Sequence, residues 1–236
     1  MPIGSIQASR SSVISFSRFI LSMKADATFT SFPSITSDRL HLREIRPTDA
    51  EAFFSLKSDL EVTSSYGREP HRTIEDTKAW VQRLQDSYSR RAGIIWCVTL
   101  KDQDVAIGSC VFWNFDEDFH CGELGYELNR AYWRKGIMAE ALPAVIAYGL
   151  NDLGLHRIEA NPLGHNAPSA NLLLKLGFTL EGTLRQRCLF RGQNFDQLYF
   201  GLLEDEWRKL TGSTNQEEKI SGKDTKAQRH GEVIGG

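Results

Sequence analysis

The run Trp133-Arg134-Lys135-Gly136-Ile137-Met138-Ala139 joins two adjacent cations and a glycine to the start of an apolar helical pattern. A strand-like stretch, residues 122–129, precedes it, and the helical pattern continues to residue 150. Strand, basic glycine turn and helix together present bare backbone N–H groups at a positive helix start, an arrangement suited to a phosphate. At Gly136 a side chain would hold the anion away from the backbone. Proton-handling residues flank this run: Glu123 before it, and Glu159 and Ser169 after it. Carboxylates and hydroxyls so placed are candidates for general acid–base work.

Read in order, the glycine turn is followed by Leu155-His156-Arg157-Ile158-Glu159-Ala160, Asn166-Ala167-Pro168-Ser169, Leu176-Gly177-Phe178 and Glu181-Gly182-Thr183-Leu184-Arg185. This order resembles the GNAT acetyltransferases, most closely the RimJ/RimL-like branch that acetylates ribosomal-protein N-termini. The resemblance covers roughly residues 38–208. It implies acetyl-CoA as co-substrate, no metal, and a primary amine as acceptor. A protein N-terminal α-amino group comes first; a small amine (polyamine, aminoglycoside or amino-acid-like metabolite) and a non-catalytic acyl-CoA-binding module are the alternatives.

The resemblance also assigns residues. It places the acyl carbonyl against a backbone N–H near Glu127-Leu128-Asn129, so Leu128 and Asn129 are expected at the donor. The amides of Arg134, Lys135, Gly136, Ile137, Met138 and Ala139 would hold the pyrophosphate, with Arg134 and Lys135 adding charge. The family's turn pattern departs twice here: Trp133 stands where Gln or Arg is usual, and Met138 where Gly or Ala is usual. Asn166 is both a helix cap and an expected pantetheine contact. Ser169 would bond the CoA sulfur and act as general acid. Related enzymes use a tyrosine one turn further on, where this chain has Leu173. The base stays open between Glu123, Glu159 and water, because Cys188 occupies the position at which close ribosomal-protein members carry a glutamate.

Alternating and helical patterns supply the scaffold. Strands are expected at residues 39–45, 93–100, 105–113, 120–128, 157–160, 184–190 and 195–202. A capping box at Thr48-Asp49-Ala50-Glu51 should open a helix ending at Lys57. A second helix follows Thr73, with Trp80, Val81, Leu84 and Tyr88 on one face. The helix after Gly136 buries positions 137, 138, 141, 142, 145, 146, 149 and 150, and Pro143 should bend it. Asn166 caps the next helix and Gly177 ends it. On strand 120–128, alternation puts Glu123, Gly125 and Glu127 on one face and Leu124, Tyr126 and Leu128 on the other.

These elements make an α/β, mixed and mostly antiparallel single sheet with helices on both faces. The resemblance adds the GNAT fold, with a V-shaped splay between the fourth and fifth strands. The domain is expected over residues 38–210, with residues 1–37 a flexible N-terminal segment and 211–236 a polar, disordered tail. Residues 1–25 hold three basic residues, seven serines and no acid, the composition of an organelle transit peptide; import into a mitochondrion or plastid is one reading and a cytoplasmic enzyme with an unused leader the other.

Net charge of −2 argues against a nucleic-acid surface, and no apolar run approaches the ~20 residues of a bilayer span, so a soluble monomer or homodimer is expected. Cys97, Cys110, Cys121 and Cys188 lack metal or disulfide spacing and read as reduced thiols. His120, His165 and the acidic pair Asp59 and Glu61 complete the candidates, the histidines as surface residues and the acids as part of an acceptor cleft.

Overall fold

A computed structural model describes residues 31–116 and 120–212 of the 236-residue chain. The leader 1–25 and nearly all of the tail 211–236 therefore lie outside the described residues. Eight strands form one sheet: β1 (Ile35–Thr36), β2 (Leu40–Glu44), β3 (Gly93–Leu100), β4 (Gln103–Asp116), β5 (Cys121–Leu128), β6 (Arg157–Ala160), β7 (Thr179–Phe190) and β8 (Gln193–Leu203). Their order is β1-β2-β3-β4-β5-β6-β8-β7, antiparallel throughout except for the parallel β5–β6 pair. Five helices accompany them: α1 (Ala50–Lys57), α2 (Leu60–Ser64), α3 (Ile74–Ser89), α4 (Ile137–Asn151) and α5 (Ala167–Lys175). Residues 204–212 are also helical, two positions into the expected tail.

Strand alternation divides the core between the two sheet faces. From β3, Ile94, Trp96 and Val98 join the larger core with α4, while Cys97 turns to the other side with Phe53, Leu56 and Val81 of α1 and α3. All eight expected positions of α4 are buried. Gly149 is among them because a Cβ there would lie 2.7 Å from the Phe112 ring. The helix continues through Pro143 rather than ending at it.

Four local expectations change. The capping box belongs to Asp49, not Thr48: the Asp49 carboxylate accepts from the Arg46 N–H at 2.7 Å and holds the buried Arg43 guanidinium at 2.8 Å. Residues 47–49 accordingly form a 3-10 turn, and α1 starts at Ala50. Strand β7 begins five residues earlier than alternation suggested, since register shifts after Leu180 and Leu184 break its period. The short helix α2, capped by the Asp59 carboxylate on the Glu61 N–H at 2.9 Å, carries too few residues to show a period. Finally, the domain extends before residue 38: β1 pairs with β2, and Phe32 packs edge-on against Trp96.

Candidate active site

Strands β5 and β6 pair over three residues only, Cys121 with Arg157, Gly122 with Ile158 and Glu123 with Glu159. Beyond that point β5 runs on to Leu128, whereas β6 stops at Ala160 and turns to β8. This is the expected opening between the fourth and fifth strands of the sequence analysis. Register fixes what lines it. The Asn129 N–H donates to Ile107 O at 2.8 Å, so β5 residues of that parity face β4, and Tyr126 and Leu128 direct their N–H groups toward the opening.

Leu128 therefore lies with its N–H on the open edge, whereas the Asn129 N–H faces β4. Its N–H bonds Ile107, its carbonyl accepts from Tyr132, its Oδ1 caps the Ala131 N–H at 3.0 Å and its Nδ2 donates to Ser55 Oγ at 3.2 Å. Asn129 thus ties the turn to β4 and to α1, each of its polar groups having a partner.

The chain then reaches Gly136, at φ +72 the left-handed cap of α4. Around it a Cβ would meet only the Arg39 guanidinium, at 3.6 Å, so the backbone conformation, not crowding, demands glycine. Among the described residues the N–H groups of Arg134 through Ala139 take no acceptor; the first helical bond is Glu140 N–H to Gly136 O at 3.1 Å. Residues 133–136 and 139 are exposed. Six free amides at a helix start make a cradle that could receive an anion.

Both departures from the turn pattern have a local explanation. Trp133 donates its indole N–H to Leu128 O at 2.8 Å, closing the turn with a side chain. Met138 points inward, its sulfur 4.0 Å from that of Cys110. Glu140 braces the cradle from below, accepting from Ser37 Oγ and the Arg39 N–H at 2.7 Å each. Arg39 also bonds the Lys135 carbonyl at 3.1 Å. Partial burial raises the Glu140 carboxyl, but these donors together hold it below the usual carboxylate range.

Across the opening, Asn166 caps α5 by accepting from the Ser169 N–H at 3.2 Å. Ser169 Oγ lies 2.7 Å from the Tyr126 hydroxyl of β5. No local pattern marks Tyr126: the helix position at which related enzymes carry a tyrosine is the buried Leu173, and the tyrosine that reaches Ser169 stands on a strand 43 residues earlier. Burial pushes the Tyr126 phenol up to about 12.

The opposite face of β5 is charged. Glu123 accepts from Asn114 Nδ2 at 2.7 Å. Glu159 beside it accepts from Arg157 Nε at 2.8 Å, and Arg157 also grips Glu181. Glu127 pairs with Lys57 at 2.6 Å, both side chains only 9% exposed, and accepts from Ser109 Oγ at 3.1 Å. The Lys57 ammonium sits 4.1 Å from the Trp80 ring and 5.3 Å from that of Tyr66. Tyr66's own hydroxyl is buried with no hydrogen-bond partner among the described residues. Asp59 and Glu61 are held by Arg130, at 2.9 and 3.1 Å, and so strap α2 to the start of the cradle. His165 bonds Ser64 O at 3.1 Å and stacks on Phe195, while Cys188 is half-buried and free.

Comparison with known proteins follows the same lines. Residues 39–179 match the family described as acetyltransferase (GNAT) domain. An uncharacterised N-acetyltransferase of Bacillus subtilis is 36% identical over 173 residues, covering 73% of this chain and 98% of that protein. The [ribosomal protein uS5]-alanine N-acetyltransferase of Escherichia coli is 29% identical over 182 residues, 73% of this chain and 92% of its own. Among solved structures, a ribosomal-protein-S5-alanine acetyltransferase from Vibrio fischeri shares 26% identity at a TM-score of 0.66, covering 74% of this chain and 98% of the other.

Proposed function

The chain belongs to the GNAT acetyltransferases, and from that premise we propose that it moves acetyl from acetyl-CoA to a protein N-terminal α-amino group. The observation that carries the donor half is the row of unpartnered amides from Arg134 to Ala139 around the left-handed Gly136. These amides would receive the diphosphate of acetyl-CoA, and Arg134 and Lys135 would add positive charge; the co-substrate supplies the activated acyl group. The Leu128 N–H, turned into the opening, would meet the negative charge that grows on the acyl oxygen. Ser169 would face the departing sulfur.

The acceptor half rests on proton accounting. At pH 7.5 an α-amine titrating near ~8 is about a quarter neutral, whereas a lysine near ~10.4 is neutral only about one part in a thousand. A lysine acceptor therefore needs a strong, free base. Glu159 is occupied by Arg157, and Glu123 has a neutral partner, Asn114. Glu123 is thus the better placed base of the two, since no cation holds its carboxylate. The names of the Escherichia coli and Vibrio fischeri relatives support the same class of acceptor.

The test is thiol release from acetyl-CoA with a panel of peptides, polyamines and aminoglycosides. Turnover on peptides with free N-termini, abolished by blocking those termini, is the expected result. Turnover on a small amine alone would replace this acceptor. Binding of acetyl-CoA with no turnover on any amine would leave a regulatory module instead.

A further inference from the structure

We propose that Tyr126 is a positioning residue for the transfer, holding the Ser169 hydroxyl so that its hydrogen is aimed at the departing thiolate. The proposal rests on the reading of Ser169 as the residue facing the CoA sulfur.

Three observations carry it. First, a serine in the opening turn of a helix commonly turns back to a nearby backbone group, but here Asn166 already satisfies the Ser169 N–H. Ser169 Oγ reaches instead to Tyr126 Oη at 2.7 Å, its one partner among the described residues. Second, both acceptors within reach of the Tyr126 phenol belong to Ser169: its Oγ at 2.7 Å and its carbonyl at 3.4 Å. Either hydroxyl can donate in the shorter contact, and in this proposal the phenolic hydrogen goes to Oγ. Third, Tyr126 lies on the part of β5 beyond its last pairing with β6, on the edge that borders the opening. With the phenol donating to Oγ, the serine's own hydrogen has no acceptor among the described residues and is left for a group in the opening.

Proton balance decides what this pair does. A thiol titrates near ~8.5, while burial raises the phenol to about 12, so neither hydroxyl gives its proton outright to a thiolate. Both stay protonated, and the chain Tyr126–Ser169–sulfur stabilises the charge as the C–S bond breaks. The proton that ends on sulfur comes from the acceptor amine, which must lose one as its N–C bond forms. Tyr126 therefore acts through Ser169 and touches no reacting atom itself.

The experiment reads the thiol of bound CoA, which requires no acceptor. Ultraviolet titration of thiolate absorbance in the wild-type complex should give a thiol pKa below that of free CoA titrated alongside. Tyr126→Phe should raise it by about one unit, with CoA affinity by calorimetry unchanged within about twofold. Ser169→Ala should raise it at least as far, and the double variant no further than Ser169→Ala alone. On the best peptide of the acceptor panel, Tyr126→Phe should lower kcat about tenfold and leave KM for acetyl-CoA in place. A Tyr126→Phe complex with the wild-type thiol pKa and kcat, changed only in melting temperature, would overturn the proposal by reducing Tyr126 to packing. Effects of the two substitutions that multiply in the double variant would overturn it too, since they would show independent action. If CoA does not bind the wild type at all, the donor site fails first and the proposal with it.

Discussion

The two faces of β5 are built from different materials. Toward α4 and α5 it offers Leu124, Tyr126 and Leu128, and the groups with chemistry are main-chain amides and one hydroxyl pair. Toward α1 it offers Glu123, Gly125 and Glu127, and there the groups with chemistry are carboxylates, one held by Asn114 and one paired with Lys57. A face made of backbone tolerates changes of side chain, which is why Trp133 and Met138 can replace the usual residues without closing the cradle. A face made of ion pairs does not, because deleting one partner strands the other.

The largest break in this contrast should come from Lys57→Ala. The side chain ends α1, where helix carbonyls favour a cation, and it neutralises the equally buried Glu127. Removing it leaves a buried, unpaired carboxylate, a loss of roughly 3–5 kcal/mol in chemical denaturation. Adding Glu127→Gln should recover much of that loss; no recovery would mean that the pair is not the cause. On the other face, Gly136→Val places a β-branched residue at φ +72 and should weaken acetyl-CoA binding at least tenfold by calorimetry, with the fold retained in circular dichroism. An undiminished affinity would move the cradle elsewhere.

Smaller effects sharpen the comparison. Trp133→Phe keeps the ring but loses the bond to Leu128 O, for about 1 kcal/mol of stability; a change near zero would make the indole a mere cover. The smallest concerns Glu140. Its folded-state pKa lies below the ordinary carboxylate value, so its contribution is complete at neutral pH and declines as pH falls through that depressed value. Acetyl-CoA affinity should then weaken on the acid side, less so in Glu140→Gln, whose affinity is already lower at pH 7.

Local chemistry was legible where a short stretch decides it. The buried stripe of α4, the glycine cap and the Asn166 cap follow from patterns within one element or one turn, and the position of the opening from the family resemblance. Tyr126 beside Ser169 depends instead on how far α5 slides along β5, and Lys57 beneath Glu127 on the angle between a helix and a sheet. No local period encodes either. Asn129 shows the reverse case: the residue is polar and well placed, yet two turn bonds and one each to β4 and α1 occupy it, and only a full count of partners reveals that. Glu159 falls between, since it stands two residues from Arg157 on one strand face and the two pair there.

The bond from Trp96 Nε1 to Pro33 O at 2.7 Å, with Phe32 leaning on the same indole, fixes where this protein can be cut. The family match begins at residue 39, yet trimming to that point would strip the cover from the largest side chain of the core and take away the Ser37 hydroxyl that steadies Glu140. A working fragment must begin ahead of Phe32, and any leader peptidase acting on the chain has to stop short of it.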